Sequence, residues 1–206
     1  MLTVLDHPLV HHRLAYLRDA KTQPKLFREL VSELTTFLAF EALKDLATED
    51  VVVQTPLTKT VGRKVSETVV LVPILRAGMG MLDAMLHVLP FAKVGVLGMQ
   101  RNEETAEPVP YYAKVPPAKG GERVLVIDPM CATGGSAVDA VAQLKKLGYR
   151  KISFLCIVSA PEGIARFEAQ HPDVPIVAAA KDERLNDHFY IVPGLGDAGD
   201  RIFGTL

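Results

Sequence analysis

Apolar residues fall along this chain in two rhythms, short runs and stretches spaced by three and four, and from residue 24 onward the two alternate. Val69–Leu75 (VVLVPIL) and the segments 94–99, 124–127, 152–158 and 174–180 are the runs. Runs this short and this apolar predict strands buried on both faces. The helical spacing begins at Pro24, with apolar residues at 26, 27, 30, 31, 34, 37, 38 and 42. It returns through Met79, Leu82, Met85 and Leu86 before Pro90, and at 137, 138, 141, 144 and 147 before Gly148. A last helix is predicted from Pro161 to the His171-Pro172 break. Residues 51–58 and 61–63 predict a short strand and a turn. Strands alternating with helices give an α/β domain with a central, mainly parallel sheet, flanked by helices and built of right-handed βαβ units.

Three segments lack either rhythm. Residues 1–23 carry His7, His11 and His12 in HPLVHHRL, with no Cys or acid at ligand spacing, so they read as an N-terminal arm packed on the domain or on a partner subunit. Residues 101–121 hold Pro108, Pro110, Pro116, Pro117 and a Gly pair, with no helical period. A connection that long predicts a functional lid or arm, and a solvated hairpin is the alternative. Residues 181–200 end in YIVPGLGDAGD, a Gly-rich loop whose two acids lack the spacing of a calcium loop.

Composition narrows the class. At 206 residues the chain fits one domain, and 49% hydrophobic against 23% charged residues excludes disorder. The net charge of −1 gives no bulk attraction to nucleic acid. No run approaches 18 apolar residues, and the N-terminus has no signal-peptide layout. Two cysteines, Cys131 and Cys156, make neither a disulfide framework nor a zinc pattern. A cytoplasmic protein with no membrane partner is expected.

The chemistry concentrates between the run at 124–127 and the helix after it, in Asp128-Pro129-Met130-Cys131-Ala132-Thr133-Gly134-Gly135-Ser136. Glycines let backbone N–H groups approach an anion, hydroxyls add donors, and the helix start adds partial positive charge. No Lys follows the glycines, so this is not a Walker A loop. Asp128 sits at a strand's carboxyl end, where open α/β sheets bind ligands. A carboxylate beside an anion cradle suits a sugar phosphate; a strand–helix turn without a ligand is the alternative. Arg76 closes the run at 69–75, and Ala77 and Gly78 leave room for a phosphate held bidentately. Here the alternative is an arginine that caps the sheet edge. Cys131, near a helix start, reads either as a thiol of lowered pKa or as a small apolar wall residue.

The apolar strand, the acid and the following ATGGS resemble the phosphoribosyl-pyrophosphate (PRPP) loop of type I phosphoribosyltransferases. DPM-x-ATGGS, PILRAG and PGLGDAGDR, in that order, are similar to the uracil phosphoribosyltransferases in particular. The generic pattern has a second acid where Pro129 stands. The resemblance implies that fold over residues 1–206, with a flexible arm at 101–121 and a C-terminal hood and uracil loop at 181–200. It implies transfer of the 5-phosphoribosyl group from PRPP to N1 of uracil, giving UMP and diphosphate. Asp128 to Ser136 (with Pro129, Met130, Cys131, Ala132, Thr133, Gly134 and Gly135) would bind PRPP together with Arg76, Arg101 and Asp197. Arg76, Arg101, Asp128 and Asp197 form the implied catalytic set, Arg101 closing over the diphosphate. Tyr190, Ile191, Gly196, Asp197 and Ala198 are the implied uracil contacts. Uracil's acceptor–donor–acceptor edge can be met by backbone N–H, C=O and N–H groups, and cytosine would leave donors unpaired at a cost of roughly 1–3 kcal/mol.

Mg²⁺ is implied as cofactor, held mainly by PRPP rather than by a protein metal site. A homodimer or homotetramer and, in some members, GTP as effector are implied as well. KDERLNDHFY departs from the family pattern, which often has Gly where Arg184 and Phe189 stand, and this leaves the hood's shape open. Two rivals are an RNA-binding pyrimidine regulator on the same scaffold and a phosphoribosyltransferase for another base. Adjacent basic residues such as 145–146 and 150–151 stay isolated pairs and form no extended cluster, against the first. The single acid and GLGDAGD speak against the second.

Overall fold

Alternation inside the apolar runs decides which side of the sheet each residue serves. The computed structural model describes residues 1–101 and 108–205. β1 (Leu2–Val4) and α1 (Pro8–Arg18) open the chain, followed by α2 (Pro24–Ala42) and the pair β2 (Thr48–Gln54) and β3 (Lys59–Val65). Then come β4 (Val69–Leu75), α3 (Met79–Val88), β5 (Lys93–Val94), β6 (Val96–Arg101) and β7 (Pro108–Lys114). β8 (Arg123–Ile127), β9 (Met130–Cys131), α4 (Gly135–Lys146), β10 (Lys151–Ser159) and α5 (Pro161–Gln170) follow. β11 (Ile176–Lys181), β12 (Arg184–Leu185), β13 (Ile191–Val192) and α6 (Ala198–Phe203) complete the described chain.

The main sheet runs β1-β11-β10-β8-β4-β6-β7. Every pairing along it is parallel except β6 with β7. Val69 and Leu71 of β4 and Leu125 and Ile127 of β8 face a core shared with α1, α2, α3 and α6. Val70, Val72, Val124 and Val126 face the opposite core, under α4 and α5. Both faces are therefore covered, as a parallel sheet requires. After β4 the chain moves outward to β6; after β8 it moves the other way, to β10 and β11. The direction reverses between β4 and β8, and a crevice opens at such a switch point, outside the carboxyl ends of the strands.

Three segments differ from the sequence reading. The N-terminal arm is integral: β1 extends the sheet beside β11, and α1 buries Val10, Leu14 and Leu17. Residues 108–114, read first as part of a lid or arm with a hairpin as the alternative, pair antiparallel with β6 as edge strand β7, where prolines are tolerated because one side needs no ladder donors. The last acids precede and enter a short helix, α6, whose N-cap Asp197 accepts from Asp200 N–H at 2.9 Å. The β2–β3 hairpin forms a separate two-stranded sheet and exposes Val52, Leu57 and Val61. Among the described residues no helix is long and apolar enough to cross a membrane.

Candidate active site

At the switch point lies a cleft of ≈ 550 Å³. One wall is the end of β4 with Arg76 and Ala77; the other is Asp128 and Met130 to Ala137, where β8 gives way to α4. Asp197 and Gly199 close one side, and Tyr111 of β7 contributes from the edge. The sequence thus brings Arg76, Asp128, Met130, Cys131, Ala132, Thr133, Gly134, Gly135, Ser136 and Asp197 to a single cavity.

The anion cradle has a local cause. Gly134 takes φ 76 as the N-cap of α4, with no side-chain cap, so the first N–H groups of the helix point into the cleft region without an intrahelical partner. A Cβ on Gly134 would come within 2.5 Å of the Gly163 carbonyl oxygen. The approach is mutual, since a Cβ on Gly163 would lie 2.3 Å from the Ala132 oxygen and 2.8 Å from the Cys131 oxygen. Helix α5 therefore butts directly against the back of the loop. Gly163 was not legible as part of the site, because its contact is made through the fold and not through a motif.

Asp128 is half-buried, and its carboxyl is pushed up to about 7. Burial is the main cause and the Asp197 charge adds to it, while the Met130 N–H, 3.5 Å from Oδ1, pulls the other way. Pro129 is buried outside the cleft lining; its carbonyl accepts from the N–H groups of Ile157 and Val158 at 2.9 and 3.1 Å. Cys131 is 1% exposed, and burial pushes its thiol up to about 12. It is an apolar wall residue, and the lowered-pKa alternative falls. Arg76 is exposed at the rim. Its Nη2 lies 3.2 Å from Asp200 Oδ1, and its guanidinium is 5.8 Å from the centroid of the Phe203 ring.

Tyr190, Ile191, Gly196 and Ala198 do not line this cleft. Ile191 is buried opposite Leu185 in the β12–β13 pair, Ala198 is fully buried, and Gly196 and Tyr190 are exposed. Gly196 and Ala198 flank Asp197, which does line it. The side chain of Arg101 and residues 102–107, including Glu103, Glu104 and Glu107, lie outside the described residues. Phe189 has φ 62, a conformation costly for a bulky residue. The Asn186 side chain holds that bend, accepting from the N–H groups of His188 and Tyr190 at 3.0 and 2.9 Å. Tyr111 was missed because it follows the Pro-rich stretch; its ring would be 2.7 Å from a Cβ on Gly98, so a glycine facing it makes its seat.

An open, mainly parallel sheet with a glycine anion loop and an arginine across the switch point defines a phosphoribosyltransferase of type I. At the level of fold alone, a hypoxanthine-guanine phosphoribosyltransferase from Bacillus anthracis superposes with a TM-score of 0.53 at 13% identity, over 78% of this chain and 79% of that one. A sequence profile of the family "Uracil phosphoribosyltransferase" matches residues 4–205. The chain belongs to that family. The uracil phosphoribosyltransferase of Streptococcus pneumoniae (strain TIGR4) is 53% identical over 99% of this chain and 98% of its own length. That of Dictyoglomus thermophilum is 54% identical over the full length of both. The solved AQ2163 protein from Aquifex aeolicus is 42% identical, with a TM-score of 0.94 over 98% of each chain.

Proposed function

We propose that this chain transfers the 5-phosphoribosyl group of PRPP to N1 of uracil, forming the N1–C1 bond, releasing diphosphate and losing the N1 proton. The observation that carries the reading is the pairing of two anion sites across one cleft: the N-terminal turn of α4 and the arginine ending β4. In this reading the peptide N–H groups and hydroxyls of Thr133 and Ser136 hold the 5-phosphate. Arg76 holds the diphosphate, with Arg101 as a second cation, and Asp128 accepts from the ribose hydroxyls. Asp197 and the backbone around it meet the base. The chain's contribution is positioning and electrostatic stabilisation, with water kept from the electron-poor C1.

Among the described residues no three of His, Cys, Asp and Glu gather to hold a metal. Asp128 and Asp197 line the cleft, two carboxylates and no more, which fits Mg²⁺ held mainly by PRPP oxygens rather than by a protein metal site. When bound, the ion would offset charge on the leaving diphosphate. Two buried free thiols fit a cytoplasmic enzyme, and the exposed Val52, Leu57 and Val61 fit a homodimer or homotetramer.

Incubation of labelled uracil with Mg-PRPP is expected to give UMP and diphosphate. No UMP with uracil, and product with another base, would overturn the reading. The same assay with and without GTP tests the effector, and light scattering tests the oligomer. Gly163→Ala supplies a finer check. Its Cβ must push the backbone of Ala132, so affinity for ribose 5-phosphate should fall by about tenfold while uracil still binds. Titration with ribose 5-phosphate measures it, and an unchanged affinity would detach the loop from the phosphate.

A further inference from the structure

Behind the C-terminal turn, three charged side chains from distant parts of the chain hold backbone groups that no helix or sheet ladder satisfies. Arg18, the last residue of α1, and Asp182, just past β11, form a bidentate pair: Nη1 to Oδ2 at 2.7 Å and Nη2 to Oδ1 at 2.5 Å. The pair then grips one residue by both its polar groups. Asp182 Oδ2 accepts from the Gly194 N–H at 2.9 Å, and Arg18 Nη1 donates to the Gly194 carbonyl at 2.7 Å. The Asp182 side chain is only 4% exposed, so these charge-assisted bonds are formed largely out of water. Asp182 is itself fixed, its N–H donating to the Ser159 carbonyl at 2.8 Å.

One residue further on, Arg201 takes over. Its Nη1 donates to the Leu195 carbonyl at 2.7 Å and to the Leu17 carbonyl at 2.8 Å, and Nη2 donates to the Asp19 carbonyl at 2.6 Å. The guanidinium sits 4.3 Å from the centroid of the Phe27 ring. Arg18 and Arg201 therefore tie the end of α1 to two successive residues of the turn. Gly194 can sit there because it takes φ 61; a Cβ would also come within 2.1 Å of the Ile191 carbonyl oxygen.

The turn so held runs directly into Asp197 and Gly199, which line the cleft. We infer that Arg18, Asp182 and Arg201 are positioning residues for base recognition, and that uracil selectivity depends on the N-terminal helix through them. The physical reason is that a base read by peptide N–H and C=O groups has no side chain that can adjust to it. Discrimination then requires the peptide units themselves to be fixed to a fraction of an ångström. The turn anchors itself only through the buried Leu195, and its glycines at 194 and 196 offer no side chain to hold the peptide units beside them, so the fold holds those from behind. Loosening the clamp lets the loop rotate toward an amino donor, and cytosine loses part of its penalty.

This inference rests on the uracil reading above, and the test separates the two. Wild-type protein, Arg18→Ala, Arg18→Lys and Asp182→Asn are compared for uracil KM, PRPP affinity by titration calorimetry, and inhibition by cytosine. Arg18→Ala is expected to raise the uracil KM by about tenfold or more, while PRPP affinity stays within about twofold. The ratio of cytosine inhibition constant to uracil KM should narrow by a similar factor. Arg18→Lys keeps one donor for the Gly194 carbonyl and should recover part of the loss. A double Arg18→Ala/Asp182→Asn variant should be little worse than Arg18→Ala alone, since the pair acts as a unit. Unaltered uracil KM and selectivity would overturn the inference. So would an equal loss for uracil and PRPP, which is what a merely structural role gives. If Arg18→Ala does not fold, Asp182→Asn, which keeps the volume, carries the same comparison with a shift of about threefold. Wild-type protein that makes no UMP would instead sink the uracil reading.

Discussion

Asp128→Asn is expected to lose at least about 100-fold in kcat/KM for PRPP and, at pH 8, to melt at a higher temperature than the wild type. Both effects come from the same environment. The carboxyl is desolvated at the cleft wall and titrates at about 7, above its ordinary 3.8. For an acid with a raised folded pKa, the stabilising contribution is full below the unfolded value and is lost as pH rises through the folded one. Above pH 7 the ionised carboxylate is therefore a burden of up to about 4 kcal/mol, and about 2 kcal/mol once its partial exposure is allowed for. Asparagine removes that burden, which corresponds to a gain of roughly 4–8 °C in Tm for a chain of this size. The gain should shrink as pH is lowered toward 4, because the wild-type carboxyl is then protonated in the folded state. The activity loss has the opposite origin: a carboxylate can accept from two ribose hydroxyls, whereas an amide turns one of those sites into a donor. Wild-type PRPP affinity should accordingly begin to weaken as pH falls below 7, whereas the Asn variant should weaken only nearer about pH 6, where the 5-phosphate itself takes up a proton. An Asn variant that melts lower at both pH values, or that keeps wild-type turnover, would remove Asp128 from this role.

The parts of the fold legible in the sequence are those in which burial and local preference agree. Val69–Leu75 and the runs at 124–127 and 152–158 become β4, β8 and β10 to within two residues, because a strand covered on both faces tolerates no polar position. The segments that escaped each carry a contrary local signal. β7 contains Pro108 and Pro110, which forbid a central strand but suit an edge. α1 buries only Val10, Leu14 and Leu17 among eleven residues, and its histidines blur the spacing. α6 has six residues, too few to show a period, and starts with Ala198-Gly199, which reads as loop.

The site divides in the same way. The PRPP loop and Arg76 could be read because glycines, hydroxyls and an acid sit next to each other at a strand end. Gly163, Tyr111 and the Arg18–Asp182 clamp could not, since their partners are brought together only by the folded sheet, across 164 residues for the clamp. Phe189 lies between these cases: the resemblance singled it out in the sequence, and the backbone at φ 62 shows what the position asks of the chain. Phe189 is therefore where this sequence accepts local strain, in a bend that the Asn186 side chain braces.

Arg76→Ala is expected to lower kcat/KM for PRPP by about 1,000-fold and to leave stability within about 1 kcal/mol of wild type. The stability expectation follows from exposure. The side chain is 60% exposed and its ion pair with Asp200 is a surface contact at 3.2 Å, of the kind that contributes little to folding. The activity expectation follows from the charge that builds on the diphosphate as its bond to C1 breaks. A guanidinium offers two parallel donors to those oxygens, and water offers none that are already oriented. Arg76→Lys should recover only part of the loss, because a point charge lacks the fork. The decisive comparison is between two ligand fragments. Ribose 5-phosphate uses the α4 turn and should bind Arg76→Ala as it binds the wild type, whereas diphosphate should lose most of its affinity. Gly163→Ala should show the reverse pattern, because its Cβ displaces the loop and leaves Arg76 untouched. Equal effects of both substitutions on both fragments would mean that the cleft binds one anion rather than two, and the division of PRPP between its walls would have to be abandoned.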